Sequence, residues 1–122
     1  MNLRIATGFL TAAAVAAYTA PAAGAQSIRK LLFDLHVRDS AGREFPEKCL
    51  IEDAALQKHA EARLVPGAAI LVEGEPTARP YEKHGVATGG WVRELIVRRV
   101  EFIRVPKAAI EAVTEAAQED AA

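Results

Sequence analysis

The sequence predicts an all-β domain with one helix: a five-stranded Greek-key barrel, with the helix between strands three and four. Three observations carry this. Residues 31–38 alternate with period two, placing Leu31, Phe33, Leu35 and Val37 on one face and Leu32, Asp34, His36 and Arg38 on the other. Residues 53–64 change to helical spacing, with Leu56, Ala60 and Leu64 one turn apart. Residues 65–105 then read as strand, Gly break, basic-aromatic strand, Gly turn and strand.

The first strand is expected over Leu3 to Leu10, with Gly8 as a bulge or bend. Residues 11–27 are rich in Ala, Pro and Gly and read as a mobile loop with its tip at Ala20-Pro21-Ala22. The same N-terminus admits a second reading. Arg4, an Ala-rich apolar stretch and the small-x-small site Ala23-Gly24-Ala25 before Gln26 have the layout of a secretory signal peptide over residues 1–25. Against it, the basic end is a single Arg plus the amino terminus, and Thr7, Gly8, Thr11 and Tyr18 interrupt the apolar stretch. No stretch is long and apolar enough for a convincing transmembrane helix, and no membrane association is expected.

Ile28 to Arg38 forms the second strand, and Asp39 to Gly42 a turn. Glu44 to Ile51 forms the third strand, with Pro46 near its start, where a missing N–H matters least. Asp53 is the expected N-cap of a three-turn helix, which Pro66-Gly67 stops. Ala68 to Val72 is a short apolar strand. Gly74 ends or bends it, and Thr77 to Lys83 continues as the next strand, with Thr77, Arg79 and Tyr81 on one face. His84-Gly85 opens a tip that Thr88-Gly89-Gly90 leaves floppy. Trp91 to Ile103 is the longest strand, and Arg98-Arg99 blurs its faces. Three strands, a helix and two strands is the order of an OB barrel. It occupies residues 1–106, and 107–122 form a short acidic Ala/Glu-rich tail.

A chain of 122 residues is one domain, long enough to bury a core without disulfides or a structural metal. The lone Cys49 lies in an apolar run and reads as a small buried residue. Residues 1–107 hold all 15 Lys/Arg and 12 of the 16 Asp/Glu, a mildly basic body of +3; the last fifteen residues carry −4. Such a body permits phosphate binding where its cations gather on one face. His36, His59 and His84 have no metal-site spacing, and phosphate-loop, dinucleotide and hydrolase motifs are absent. The expectation is a binding protein, not an enzyme, with no cofactor and no metal.

The cluster that points to a ligand is Arg79, Tyr81, Lys83, Trp91 and Arg93 about one hairpin. Cations neutralise the phosphates of a single nucleic-acid strand, and flat side chains stack on its bases. Arg29 and Lys30, at the start of strand two, are candidates to extend the cationic track. Two roles stay open for Tyr81 and Trp91: stacking platforms, or caps over the barrel core or an oligomer interface. Glu73 and Glu94 read as strand carboxylates pairing with Arg. Arg98 and Arg99 are expected to pair with neighbouring acids such as Glu101.

From residue 2 to about 105 the chain resembles the bacterial single-stranded DNA-binding proteins. NLRIATGFL is similar to the family's first strand, with its Gly at Gly8. Tyr18 and Gly24 fall where the family has a Tyr and a Gly in the first loop. Residues 32–37, LFDLHV, resemble N-F-S-L-A-V. Gly67, Val72, Glu73 and Gly74 match the K-G-x-x-V-x-V-E-G run. TARPYEKHG resembles R-x-R-x-W-x-x-x-G, keeping Arg79, an aromatic at Tyr81, and Gly85. WVRELIV resembles Y-x-x-E-x-x-V, keeping Glu94. The departures are specific. Strand three offers only Phe45, with Ile51 and Glu52 near where a stacking aromatic is expected. Thr77 replaces a basic residue, Pro80 interrupts a strand, and the tail ends QEDAA without the family's aromatic tip.

The resemblance implies a divergent member that binds single-stranded DNA without sequence preference in replication, recombination or repair. It implies a homodimer or homotetramer, possible contacts with replication and repair proteins, and a cytoplasmic, nucleoid-associated location. It also opposes the signal peptide, because cleavage after Ala25 would remove the first strand and leave an open barrel edge. Two alternatives follow: an exported, periplasmic OB-like binding protein lacking residues 1–25, and a primosomal-type adaptor that binds replication proteins.

Overall fold

The computed structural model describes residues 3–19 and 26–107. The expected loop tip Ala20-Pro21-Ala22, the proposed cleavage-site residues 23–25 and the acidic tail from residue 108 onward lie outside the described residues. Six strands form: β1 (Arg4–Phe9), β2 (Val15–Thr19), β3 (Ile28–Arg38), β4 (Glu44–Ile51), β5 (Ala69–Lys83) and β6 (Val86–Arg104). Between β4 and β5 lie one helix, α1 (Ala54–Ala60), and a 3-10 turn, Glu61–Arg63. The sheet runs β1-β5-β6-β4-β3-β2, and a further β1–β3 pairing closes five of the strands on themselves. β4 and β6 are parallel, with Cys49 opposite Leu95; the other pairings are antiparallel. This is the OB barrel expected from the order of elements.

The predicted faces of β3 are the observed ones. Leu31, Phe33 and Leu35 are buried, and Val37 packs against the same core. Ile51, Ile70, Val72, Leu95 and Val97 meet them from β4, β5 and β6. Asp53 caps α1 as expected, accepting from the N–H of Ala55 at 3.0 Å. The α-helical part spans only Ala54–Ala60, because the last turn tightens into the 3-10 segment that carries Leu64 into the barrel mouth. Gln57 locks this plug in place. Its amide nitrogen donates to the carbonyls of Arg29 (2.9 Å) and Ile51 (3.0 Å), and its oxygen accepts from Arg29 Nη1 at 2.9 Å.

Gly8 is neither bulged nor bent out of register; it pairs directly with Ile70. Its role is close approach. A Cβ at Gly8 would lie 2.2 Å from the His36 carbonyl oxygen, on the strand that β1 must cross to close the barrel. Gly74 is a second such point, where a Cβ would lie 2.2 Å from the Ile96 carbonyl oxygen. The β5–β6 ladder shifts register between Glu73 and Gly74.

Three other expectations change. Residues 15–19, read as part of a loop, form β2 and pair with Leu32 to Ile28. β1 leaves β3 after Phe9 meets His36, so the first half of β3 needs another partner for its backbone, and the Ala-rich segment supplies it. The join is not continuous. In register with Phe9, Val15 would face Lys30; it faces Leu32. β5 is unbroken through Gly74, Pro76 and Pro80. It pairs with β1 only as far as Gly74, and beyond that it is an edge strand, where proline is tolerated. The hairpin tip is the two-residue turn His84-Gly85, with φ of 55° and 78°, and residues 88–90 belong to β6.

Gly8→Ala is expected to cost about 2–4 kcal/mol of stability, because a packed backbone must move. Urea unfolding of the variant measures it, and an unchanged midpoint would contradict the close-crossing role. Gln57→Ala is expected to cost about 2–3 kcal/mol, because the Arg29 and Ile51 carbonyls lose its donor while the Arg29 guanidinium keeps only Glu61 of its two helix-side partners. The same titration reads it.

Candidate nucleic-acid interface

Beyond Gly74, β5 parts from β1, and past Leu95 and Ile96, where β6 still pairs with β4, β5 and β6 extend together as a two-stranded arm. It faces the outer surface of β3 and β4 across a trough. The floor is laid by β3–β4 cross-strand pairs, Leu32 with Leu50 and Asp34 with Lys48. One wall comes from β2 and the residues before it, including Val15 and Ala17; the other comes from the arm. Two basins of about 460 and 530 Å³ make up the trough, and they share Leu32, Arg79 and Glu94. It is therefore one channel with Arg79 at its midpoint.

Strand alternation decides which arm residues face this channel. Thr77, Arg79 and Tyr81 of β5 line it, together with Val92, Glu94 and Ile96 of β6. Trp91 and Arg93 have the opposite parity, shared with the buried Leu95 and Val97, and so project from the other face of the arm. The hairpin thus divides the predicted cluster. Arg79 and Tyr81 stand together in the channel, Lys83 is exposed beside the turn, and Trp91 is two-thirds exposed on the far side. Tyr81 sits in the irregular step between Pro80 and Glu82 and is 46 % exposed. Among the described residues its ring is not enclosed as a core cap would be.

The charges are not free by default. Arg79 Nε donates to Glu94 Oε1 at 2.6 Å, with Arg79 62 % exposed and Glu94 only 13 %. Arg29 is engaged by Glu61 and by Gln57 at the helix, and Glu61, followed by the Tyr18 hydroxyl, raises its pKa further. Arg29 therefore anchors α1 to β3. Lys30 faces the channel and pairs with Glu52 at 3.4 Å. Arg98 pairs with Glu75, and Arg99 with Glu73 and Glu101, as expected of neighbouring acids. Arg93 and Lys83 form no ion pair among the described side chains.

Platforms on β4 are as sparse as the sequence suggests. Ile51 is fully buried in the core, and Phe45 lies near the far end of the strand opposite Val37. Alternation already placed Leu32 and Asp34 outward, but not over a channel; that depended on the β2 wall, for which composition carried no signal. His36 is stacked on Phe9, with centroids 5.5 Å apart, and its Nε2 lies 3.0 Å from Thr11 Oγ1. Among the described residues no group of His, Cys, Asp or Glu could hold a metal ion.

No family model matches the chain, and no curated protein sequence matches it. Solved structures do. A Plasmodium falciparum single-stranded DNA-binding protein in complex with single-stranded DNA superposes with a TM-score of 0.60 at 12 % identity, over 85 % of this chain and 96 % of that one. A mitochondrial single-stranded DNA-binding protein of Saccharomyces cerevisiae gives 0.63 at 10 % identity, over 86 % and 98 %. The fold is that of the single-stranded DNA-binding OB barrels. At such low identity the likeness lies in backbone path, which explains why a structural match survives where sequence models find none.

Within this OB barrel, Cys49 lies under the channel floor, and burial, followed by the charges of Glu47 and Asp34, pushes its thiol from 9.0 up to about 12. The thiolate is the reactive form. Alkylation at about pH 8 is therefore expected to leave native Cys49 intact while modifying the urea-unfolded chain rapidly. Equal rates in the two states would contradict this burial. A thiol whose pKa is raised by folding favours the native state fully below pH 9, and that contribution is lost as pH rises toward 12.

Proposed function

We propose that this protein binds single-stranded DNA in the channel between β2, the β3–β4 floor and the β5–β6 arm, without turnover. The observation that carries the reading is Arg79 beside Tyr81 on the wall of an open trough: a cation for a phosphate next to an exposed ring for a base. The likeness of the backbone to proteins whose own structures are of single-stranded DNA-binding proteins supports it. A role in replication, recombination or repair follows from that activity.

Glu94 sets the strength of binding. A phosphate must take Arg79 from a carboxylate already 2.6 Å away, so the free protein resists its own ligand. With few aromatic platforms, affinity rests heavily on Tyr81, since a stacked base contributes about 1–3 kcal/mol. The pairing of β1 with β5 along Arg4–Phe9 supports a chain that keeps residues 1–25 and acts inside the cell. Apart from Phe9, the opposite edge of β1 has no partner strand among the described residues, and Ile5 on it is 62 % exposed; this supports assembly into a dimer or tetramer. Trp91 and Arg93 on the outer face of the arm favour a second use, contact with a replication protein.

Titration of labelled oligo-dT followed by anisotropy is the test. Tyr81→Ala is expected to weaken binding about tenfold. Arg79→Ala is expected to weaken it and to flatten the salt dependence by about 0.7 in log–log slope. Glu94→Gln is expected to tighten it severalfold. No binding at low salt would overturn the proposal. Intact mass of the natively expressed chain tests the N-terminus, and a species beginning at Gln26 would establish export instead.

A further inference from the structure

We infer that Asp34 makes the channel discriminate among bases, favouring cytosine over uracil or thymine at one position on the floor. This rests on the proposal that the channel holds a single strand, and it goes beyond binding without sequence preference.

Asp34 lies on the outer face of β3 between Leu32 and His36 and lines the basin that also holds Arg79 and Tyr81. It is exposed, and among the described residues it forms no hydrogen bond or ion pair, although Lys48 is its cross-strand partner. The other channel carboxylates differ: Glu94 is held by Arg79, and Glu52 by Lys30. With the phosphate contact proposed at Arg79 on the arm, the bases of a bound strand turn toward the floor, where Asp34 stands beside its cross-strand partner Lys48. There an ionised carboxylate only accepts hydrogen bonds. Cytosine offers an amino group at C4 on the outer corner of its edge, whereas the one N–H of uracil and thymine, at N3, lies between two carbonyl oxygens that repel the carboxylate as it approaches. Leu32, half-exposed beside the acceptor, offers the base an apolar surface to lie on.

The experiment uses the full-length protein and labelled oligo-dC and oligo-dU of equal length. Near pH 7.5, cytosine is unprotonated and oligo-dC remains single-stranded. The two bases carry no methyl difference, so the C4 substituent and the N3 position distinguish them. Oligo-dC is expected to bind about tenfold more tightly than oligo-dU. Asp34→Asn can both donate and accept, and is expected to reduce the ratio to near one; Asp34→Glu is expected to keep a preference for oligo-dC. Circular dichroism of each variant confirms the barrel. Equal binding of both oligonucleotides by the unmodified protein would overturn the inference while leaving the channel proposal standing. A preference that persists in Asp34→Asn would overturn the role of Asp34. Failure to bind either oligonucleotide would overturn both.

Discussion

The barrel depends on two places where backbones pass too closely for any side chain. At Gly8, β1 crosses the carbonyl of His36; at Gly74, β5 crosses that of Ile96. The first crossing joins β1 to β3 at Phe9 and His36 and closes five strands around the core. The second coincides with the register shift after which β5 and β6 leave the barrel as an arm. Closure orients the outer face of β3, and the arm stands over that face. The channel is the space left between them.

Energetics and function separate along the same lines. The stable part is the apolar inner face of β3 with the facing residues of β4, β5 and β6, plugged at one end by Leu64 and the Gln57 lock. The channel adds little to stability. Lys30–Glu52 is half-exposed on both sides, and Arg79 is 62 % exposed although Glu94 is only 13 % exposed; a surface pair is worth at most about 1 kcal/mol. That makes such pairs replaceable by a ligand. Arg79, itself exposed, can exchange Glu94 for a phosphate at the cost of leaving a largely buried carboxylate without its partner, whereas Arg29, tied to Gln57 and Glu61, cannot leave without loosening α1.

Much of this was legible in the residues. Period two over 31–38 named the core face of β3, and the change of period at Asp53 located the helix and its cap. Arg79 and Tyr81 shared a face by counting alone. What escaped was whatever depended on partners distant in sequence. β2 is Ala-rich and became a strand because β3 had an unpaired edge. Trp91 and Arg93 looked like neighbours of Tyr81, but the pairing of Pro80 with Trp91 and the phase set by the buried Leu95 turn them to the other side. Asp34 was visibly an outward residue, and only the opposite wall gives it a ligand to face.

The central claim is that the channel, and not another face of the barrel, holds the strand. Amide and side-chain NMR shifts during titration with an unlabelled oligo-dT test it most directly. The account predicts saturable shifts at Leu32, Asp34, Arg79 and Tyr81, with little change at Ile5, Arg99 and Ile103 on the outer surface of β1 and β6. Shifts concentrated on that other surface, with Arg79 and Tyr81 unmoved, would contradict it.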